Sequence, residues 1–310
     1  MANILLTNVC NQKCPYCFAA EQLKLKKVEM SFRDFKVVLN LLEKSGEKTI
    51  RLMGGEPTLH SNFKKFINYI FSHNLQPHLF TNGLFSGEIA DFLTRKEDNI
   101  KYSFNINPPE MYSFKRWKTI LKNFKKITTF KNSLIGAVIW QKDFNIDYLI
   151  SLADEYPLRA ILLRIANPIV GRSNKHIPLN HYSVLAKNLV REIKKTNENK
   201  IKIGFGCGLS KEMFNGGQLS ILKKYRVANL NWGCDANSGR FDIGTDLSVF
   251  RCFPLSNWQR RKLTDFKNPR EIENHFTQMM QRYQTDNSKI DFIHQGPCFS
   301  YLLSDKKHEQ

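Results

Sequence analysis

The 310-residue chain is predicted to be an α/β protein, an open, partial (β/α)6 TIM-like barrel followed by a smaller C-terminal domain. Three observations predict it. Strand-like and helix-like segments alternate through the first two thirds, the pattern of βα units on a parallel sheet. Six such units fit before residue 196, which suits a barrel left open. Beyond Asn197 the pattern changes to glycine-rich turns, short strands and spaced cysteines, setting domains at 1–196 and 197–310.

Each element has its own signal. The first strand, 3–6, leads into a cysteine-rich loop. Ser31 opens a helix to about residue 45, where Gly46 ends it, and Phe32, Phe35, Val38, Leu41 and Leu42 form its apolar stripe. Strands follow at 49–53, 77–80, 101–106, 134–140 and 160–165. Helices at 62–73, 88–95, 112–126 and 146–155 separate them, and a long helix over 181–195 follows the last strand. Further on, Asp246 and Leu247 read as the turn of a hairpin between short strands. The tail after Ser304 is polar, and there is no internal repeat beyond the βα alternation.

Composition bounds the function. A hydrophobic content of 42% allows a sizeable core. The longest apolar stretch, 134–140, is far short of a membrane span, and no signal peptide is evident. The chain is therefore expected in the cytoplasm, with no membrane partner. There its seven cysteines serve as metal ligands more readily than as disulfides. Lys+Arg number 47 against 28 Asp+Glu, a formal charge of +19. Such a field attracts anionic partners: an acidic peptide, a phosphorylated metabolite or an acidic electron-transfer protein. Heavy use of Lys, Asn, Ile and Phe, as in AT-rich genomes, gives the same excess. The basic residues are scattered and carry no RNA-binding signature, so nucleic acid is not expected as substrate.

The chemistry starts at Cys10, Cys14 and Cys17, in CNQKCPYCF, with Tyr16 before the last cysteine. Three thiolates on one loop can hold three corners of a cubic iron–sulfur cluster and leave the fourth iron open. Zinc sites usually pair their ligands, and no fourth ligand lies nearby. Directly after the second strand comes Gly54-Gly55-Glu56-Pro57. Its glycines allow close backbone approach, and its proline fixes the turn. Thr81-Asn82-Gly83 ends the third strand. Ser103, Asn105 and Asn107 alternate onto one face of the fourth. Arg164 lies near the end of the sixth, among apolar residues, where a buried cation needs an anionic partner.

Together these motifs resemble the radical S-adenosylmethionine (radical SAM) enzymes, whose fold is a six-unit partial barrel with the cluster loop after strand one. The resemblance implies a [4Fe-4S] cluster on Cys10, Cys14 and Cys17, with SAM on its open iron. Tyr16, Gly54, Gly55, Glu56, Pro57, Ser103, Asn105 and Arg164 are the implied cofactor-binding residues. Glu56 would bind the methionine ammonium, Ser103 and Asn105 the ribose and carboxylate. Arg164 would pair with the SAM carboxylate or with a structural acid. A reduced flavodoxin or ferredoxin would supply the electron, and a 5′-deoxyadenosyl radical would take hydrogen from a substrate carbon.

Four cysteines remain: Cys207, Cys234, Cys252 and Cys298, with 17 residues between Cys234 and Cys252. This resembles the SPASM and twitch extensions of the same family and implies one auxiliary [4Fe-4S] cluster. If Cys207 does not ligate, that cluster keeps an open iron; four buried free cysteines are the other reading. No convincing acid or base emerges, though Asp235 and Asp246 lie near the implied cluster. Three functions follow. The first is modification of a ribosomal peptide, although only nine residues precede Cys10, which leaves no room there for a leader-binding domain. The second is oxidation or rearrangement of a small anionic molecule by a twitch-type dehydrogenase. The third, a non-catalytic iron–sulfur carrier, leaves Gly54-Gly55-Glu56-Pro57 unexplained.

Overall fold

The computed structural model describes residues 2–20, 26–96, 99–127, 133–156, 158, 160–196, 201–209, 211–230, 240–286 and 298–304. Six parallel strands form the expected frame: β1 (Ala2–Leu5), β2 (Thr49–Met53), β3 (Gln76–Thr81), β4 (Lys101–Asn105), β5 (Ser133–Ile139) and β6 (Ala160–Ile165). The helices α1 (Phe32–Lys44), α2 (Phe63–Ser72), α3 (Gly87–Thr94), α4 (Phe114–Ile127), α5 (Asp147–Glu155) and α6 (Tyr182–Lys194) fall where the periodicity placed them.

Local chemistry sets the ends. Ser31 caps α1 by accepting the Asp34 N–H, a contact worth about 1 kcal/mol. Gly46, at φ +84°, closes it: Gly46 N donates to Glu43 O and Glu47 N to Leu42 O. On α2, Phe63, Phe66, Ile67 and Ile70 are fully buried, each contributing about 1.5–3 kcal/mol. Strand residues alternate between this helix-facing core and the barrel lumen. Thus Ile50 and Leu52 face the helices while Arg51 and Met53 face inward.

The sheet runs further than six strands. β7 (Lys202–Phe205) pairs with β6, and β8 (Phe241–Ile243) pairs in parallel with the other edge, β1. β9 (Ser248–Phe250) and β10 (Arg261–Lys262) continue that edge antiparallel. The order is β10-β9-β8-β1-β2-β3-β4-β5-β6-β7, so the sheet does not close. Residues on both sides of position 197 therefore share one hydrogen-bonded sheet.

The β8–β9 hairpin turns at Asp246 and Leu247, with Leu247 at φ +59°. Burial would raise the Asp246 carboxyl, but Ser248, Arg260 and Lys262 outweigh it and hold the group at about 2. Three helices beyond α6 add to the sequence reading: α7 (Gly216–Lys224), α8 (Pro269–Asp286) and α9 (Phe299–Ser304). α8 buries Ile272, Phe276 and Met280, a stripe at four-residue spacing.

Candidate active site

The cysteine loop is fixed by the turn that follows β2. Gly55 N donates to Thr7 O and Glu56 N to Val9 O, both at 2.7 Å. A Cβ on Gly54 would meet Thr7 O at 2.5 Å; one on Gly55 would meet Val9 O at 2.2 Å and Cys10 Cβ at 3.0 Å. The two glycines are thus required by the loop's own backbone, immediately before Cys10. Within the loop, Cys17 N donates to Cys14 O, and Gln12 N to Cys10 Sγ.

Glu56 is almost wholly buried. Its Oε1 accepts from Thr58 N, Thr58 Oγ1 and Thr81 Oγ1, and its Oε2 from Asn82 N. Burial pushes the carboxyl up, against the Asn82, Thr58 and Thr81 hydrogen bonds. The side chain ties the ends of β2 and β3 together; four donors nearly exhaust what a carboxylate accepts. Pro57 starts a single 3-10 turn, 57–59.

Two asparagines reach the thiols. Asn82 Nδ2 donates to Cys10 Sγ at 3.7 Å and Asn107 Nδ2 to Cys14 Sγ at 3.3 Å. Tyr16 organises the second: its hydroxyl donates to Asn107 Oδ1 at 2.5 Å and accepts from Asn105 Nδ2 at 3.0 Å. Arg116 of α4 donates to Asn11 O and, at 2.6 Å, to Gln12 Oε1, pinning the loop from outside. Ser103 is taken by His78, with Oγ and Nε2 2.8 Å apart.

All three cysteines are partly buried and unbridged. Burial pushes the Cys10 thiol up to about 11, partly offset by the Gln12 N–H. It pushes Cys17 up to about 12, and it raises Cys14 against the Asn107 and Tyr16 hydrogen bonds and the charge of Arg116. Buried thiols like these ionise when a metal supplies the compensating charge. Among the described residues no three His, Cys, Asp or Glu side chains crowd round a single ion position. A cubic cluster spreads its thiolates over separate irons, and three unbridged thiols on one loop are a donor set that fits it. Asn105 Oδ1 is buried beside the site with no donor. It fits a hydroxyl or ammonium of a bound ligand, since buried acceptors are normally satisfied.

Three of the later cysteines, Cys207, Cys252 and Cys298, lie among the described residues. Cys207 follows β7, where Asn167 Nδ2 donates to its Sγ at 3.5 Å. Asn167 Oδ1 is a second buried acceptor without a donor. Cys298 is buried, 3.1 Å from Ser300 Oγ. Cys207 and Cys298 both act electrostatically on Tyr182 and Tyr301, whose hydroxyls are hydrogen-bonded at 2.9 Å. Cys252 packs on the cluster of Leu255, Met280 and Phe299, and Phe299 follows Cys298 in the sequence. Cys234 and Asp235 lie outside the described residues. The two cysteine sets approach each other through Phe18 and Phe253, stacked 4.2 Å apart beside Cys17 and Cys252.

Arg164, on β6, is buried and lies within electrostatic reach of Tyr16 and Cys207. Burial, and then the charge of Arg240, lower its guanidinium to about 10, and no structural acid among the described residues pairs with it. Sequence reasoning passed over Asn82 as a ligand to sulfur, and missed Arg116 and the tyrosine pair altogether. Arg116 looks like any of six basic residues on α4, and nothing local marks it.

Comparison with known proteins agrees with this geometry. Residues 4–140 match the model of the radical SAM superfamily. The chain is 39% identical over 87 residues to a 7,8-dihydro-6-hydroxymethylpterin dimethyltransferase of Methanocaldococcus jannaschii, covering 27% of this chain and 17% of that protein. It is 27% identical over 110 residues to a probable GTP 3′,8-cyclase of Thermococcus kodakarensis, covering 35% and 36%. It thus spans well under half the length of these curated relatives. Among solved structures, SuiB of Streptococcus suis bound to S-adenosylmethionine superposes with TM-score 0.68 at 15% identity, covering 98% of this chain and 74% of that one. Native anSMEcpe with bound AdoMet superposes with TM-score 0.67 at 18% identity, covering 100% and 92%. Both likenesses are of fold. With the cysteine loop at the carboxyl edge of an open parallel sheet, the match over residues 4–140 identifies a radical SAM domain in this chain.

Proposed function

We propose that the chain is a two-cluster radical SAM enzyme that modifies a peptide. When bound, the cluster and SAM supply one electron and a 5′-deoxyadenosyl radical that removes hydrogen from a substrate carbon. The protein's own residues prepare that step. Cys10, Cys14 and Cys17 hold three irons, and Gly54 and Gly55 let the cysteine loop settle against β2. Asn82 and Asn107 donate to two of the sulfurs, which eases reduction. Asn105 Oδ1 accepts a SAM hydroxyl or ammonium. The Phe18–Phe253 stack keeps water from the space between the cysteine sets.

Cys207, Cys234, Cys252 and Cys298 are proposed as ligands of an auxiliary [4Fe-4S] cluster, within an auxiliary module that begins near residue 197. Support comes from Cys207 and Cys298 both acting on the Tyr182–Tyr301 pair, and from Cys252 packing on Phe299, the residue after Cys298. An electron donor of the flavodoxin or ferredoxin type would meet a basic protein of charge +19.

A peptide is favoured over a small molecule by one observation. The curated relatives with pterin and GTP names match between 27% and 46% of this chain. Folds that cover nearly all of it include SuiB, solved elsewhere bound to precursor peptide SuiA, and anSMEcpe, solved with peptide. Among the described residues no helix is long and apolar enough to cross a membrane. The test is anaerobic incubation of the reconstituted protein with SAM, dithionite and peptides encoded beside its gene. A mass change in one peptide with 5′-deoxyadenosine release supports the reading. Release with turnover of a small molecule alone would replace it by the dehydrogenase alternative.

A further inference from the structure

The lumen face of the sheet carries positive charge that its described neighbours leave largely unanswered. Alternation with the buried core turns Arg51 of β2, His78 of β3, Lys101 of β4 and Arg164 of β6 inward. Strand register sets Arg51 beside His78 and His78 beside Lys101. Arg240 enters at the start of β8. These fields overlap: Arg51, Lys101 and Arg164 all act on His78, and Arg240 acts on both Arg51 and Arg164. Burial and then these cations hold His78 neutral down to about 3.

The counter-charges are few. Glu47 faces Arg51, and buried Asp242, bonded to Asn3 at 2.6 Å, faces Arg240. Among the described residues no carboxylate acts on Arg164; the Cys207 thiol and the Tyr16 hydroxyl do. Its stem is pressed against Gly206, where any Cβ would come within 2.9 Å of Arg164 Cγ, so the guanidinium is held in place. A buried guanidinium with no carboxylate beside it among the described residues is costly, which makes Arg164 poor as structure and apt as a receptor.

We propose that the barrel lumen binds an oxyanion of the substrate, a carboxylate or phosphate gripped by Arg164 and Arg51 with Lys101 behind them. Guanidinium forks match both groups in bidentate geometry. That the anion belongs to the substrate rests on the function proposed above; its binding does not.

The test uses the reconstituted protein with SAM added and chloride holding ionic strength constant. Inorganic phosphate and N-acetylglutamate amide are the probes, and the urea unfolding midpoint is read against probe concentration. A saturable rise is expected with at least one probe. Preference for phosphate marks a phosphorylated substrate, and preference for the glutamate derivative an acidic peptide. Arg164→Gln and Arg51→Gln should each weaken the response about tenfold or more, the loss of a charge-assisted pair. Without probe, their midpoints should equal or exceed that of the wild type, because repulsion is relieved; structural arginines would lower it. The proposal is overturned if neither probe raises the midpoint beyond chloride. It is equally overturned if Arg164→Gln abolishes SAM binding but keeps the probe response, since the guanidinium would then belong to SAM. Probe binding without 5′-deoxyadenosine release would sink the proposed function and leave this one standing. The converse would sink this one alone.

Discussion

Replacing Gly55 by alanine tests whether the glycine pair exists to seat the cysteine loop. The added Cβ would stand 2.2 Å from Val9 O and 2.6 Å from Val9 C, where ordinary contact begins near 3.4 Å. The obstacle is backbone on a strand-anchored loop, so no side-chain rotation relieves it. More than 1 Å of movement is needed, and Val9 carries it straight to Cys10. Overpacking of this kind costs about 1–3 kcal/mol. The Glu56 N to Val9 O bond, 2.7 Å long, adds about 1 kcal/mol when lost. The sum is about 2–4 kcal/mol. The larger effect is on the metal, because ligand distances tolerate only about 0.2 Å of error. Gly55→Ala should therefore fold but hold about four fewer irons per chain after anaerobic reconstitution, one [4Fe-4S] cluster's worth. Gly87→Ala is the control: nothing lies within 4 Å of its Cβ, and stability should hold or rise slightly. Wild-type iron content and midpoint in Gly55→Ala would refute the reasoning.

Further outcomes follow from the same geometry. Asn107→Ala removes a hydrogen bond to Cys14 Sγ and strands Tyr16. At about 1 kcal/mol the first cluster's potential should fall by on the order of 40 mV, read by redox titration with paramagnetic resonance. An unchanged potential would show that this amide does not tune the cluster. His78→Gln should flatten the loss of stability in acid. The unfolded chain's histidine takes a proton near 6.5, whereas folded His78 waits until about 3, so its contribution is full above 6.5 and drains as pH falls through that window. Identical urea midpoints for variant and wild type across pH 6.5 to 4 would contradict this. Cys298→Ser should lower iron by about four per chain and leave 5′-deoxyadenosine release intact. Unchanged iron would remove Cys298 from the auxiliary site.

The parts of the fold legible in the sequence were those set by local patterns. The stripe on α1, its Ser31 cap and its Gly46 stop are nearest-neighbour physics, and the structure reproduces them. α8 was equally legible, since Asn268 and Glu271 bracket its start and Ile272, Phe276 and Met280 repeat every four residues. The pairing of β8 with β1 is different in kind. It joins residues about 240 apart through a three-residue strand, and no local signal encodes it. The same holds for Asn82, Arg116 and the lumen charges of Arg51 and Lys101, which acquire meaning only from register. Gly54 and Gly55 were legible as close-approach positions, but the sequence could not say that the approaching group is the chain's own Thr7–Val9 backbone.

The most direct measurement is 5′-deoxyadenosine release together with iron content in the wild type and in Cys10→Ala/Cys14→Ala/Cys17→Ala. The wild type should hold about eight irons and release 5′-deoxyadenosine from SAM and dithionite even without substrate. The triple variant should hold about four and release none. A fully loaded wild type that leaves SAM intact would contradict the proposed chemistry at its source.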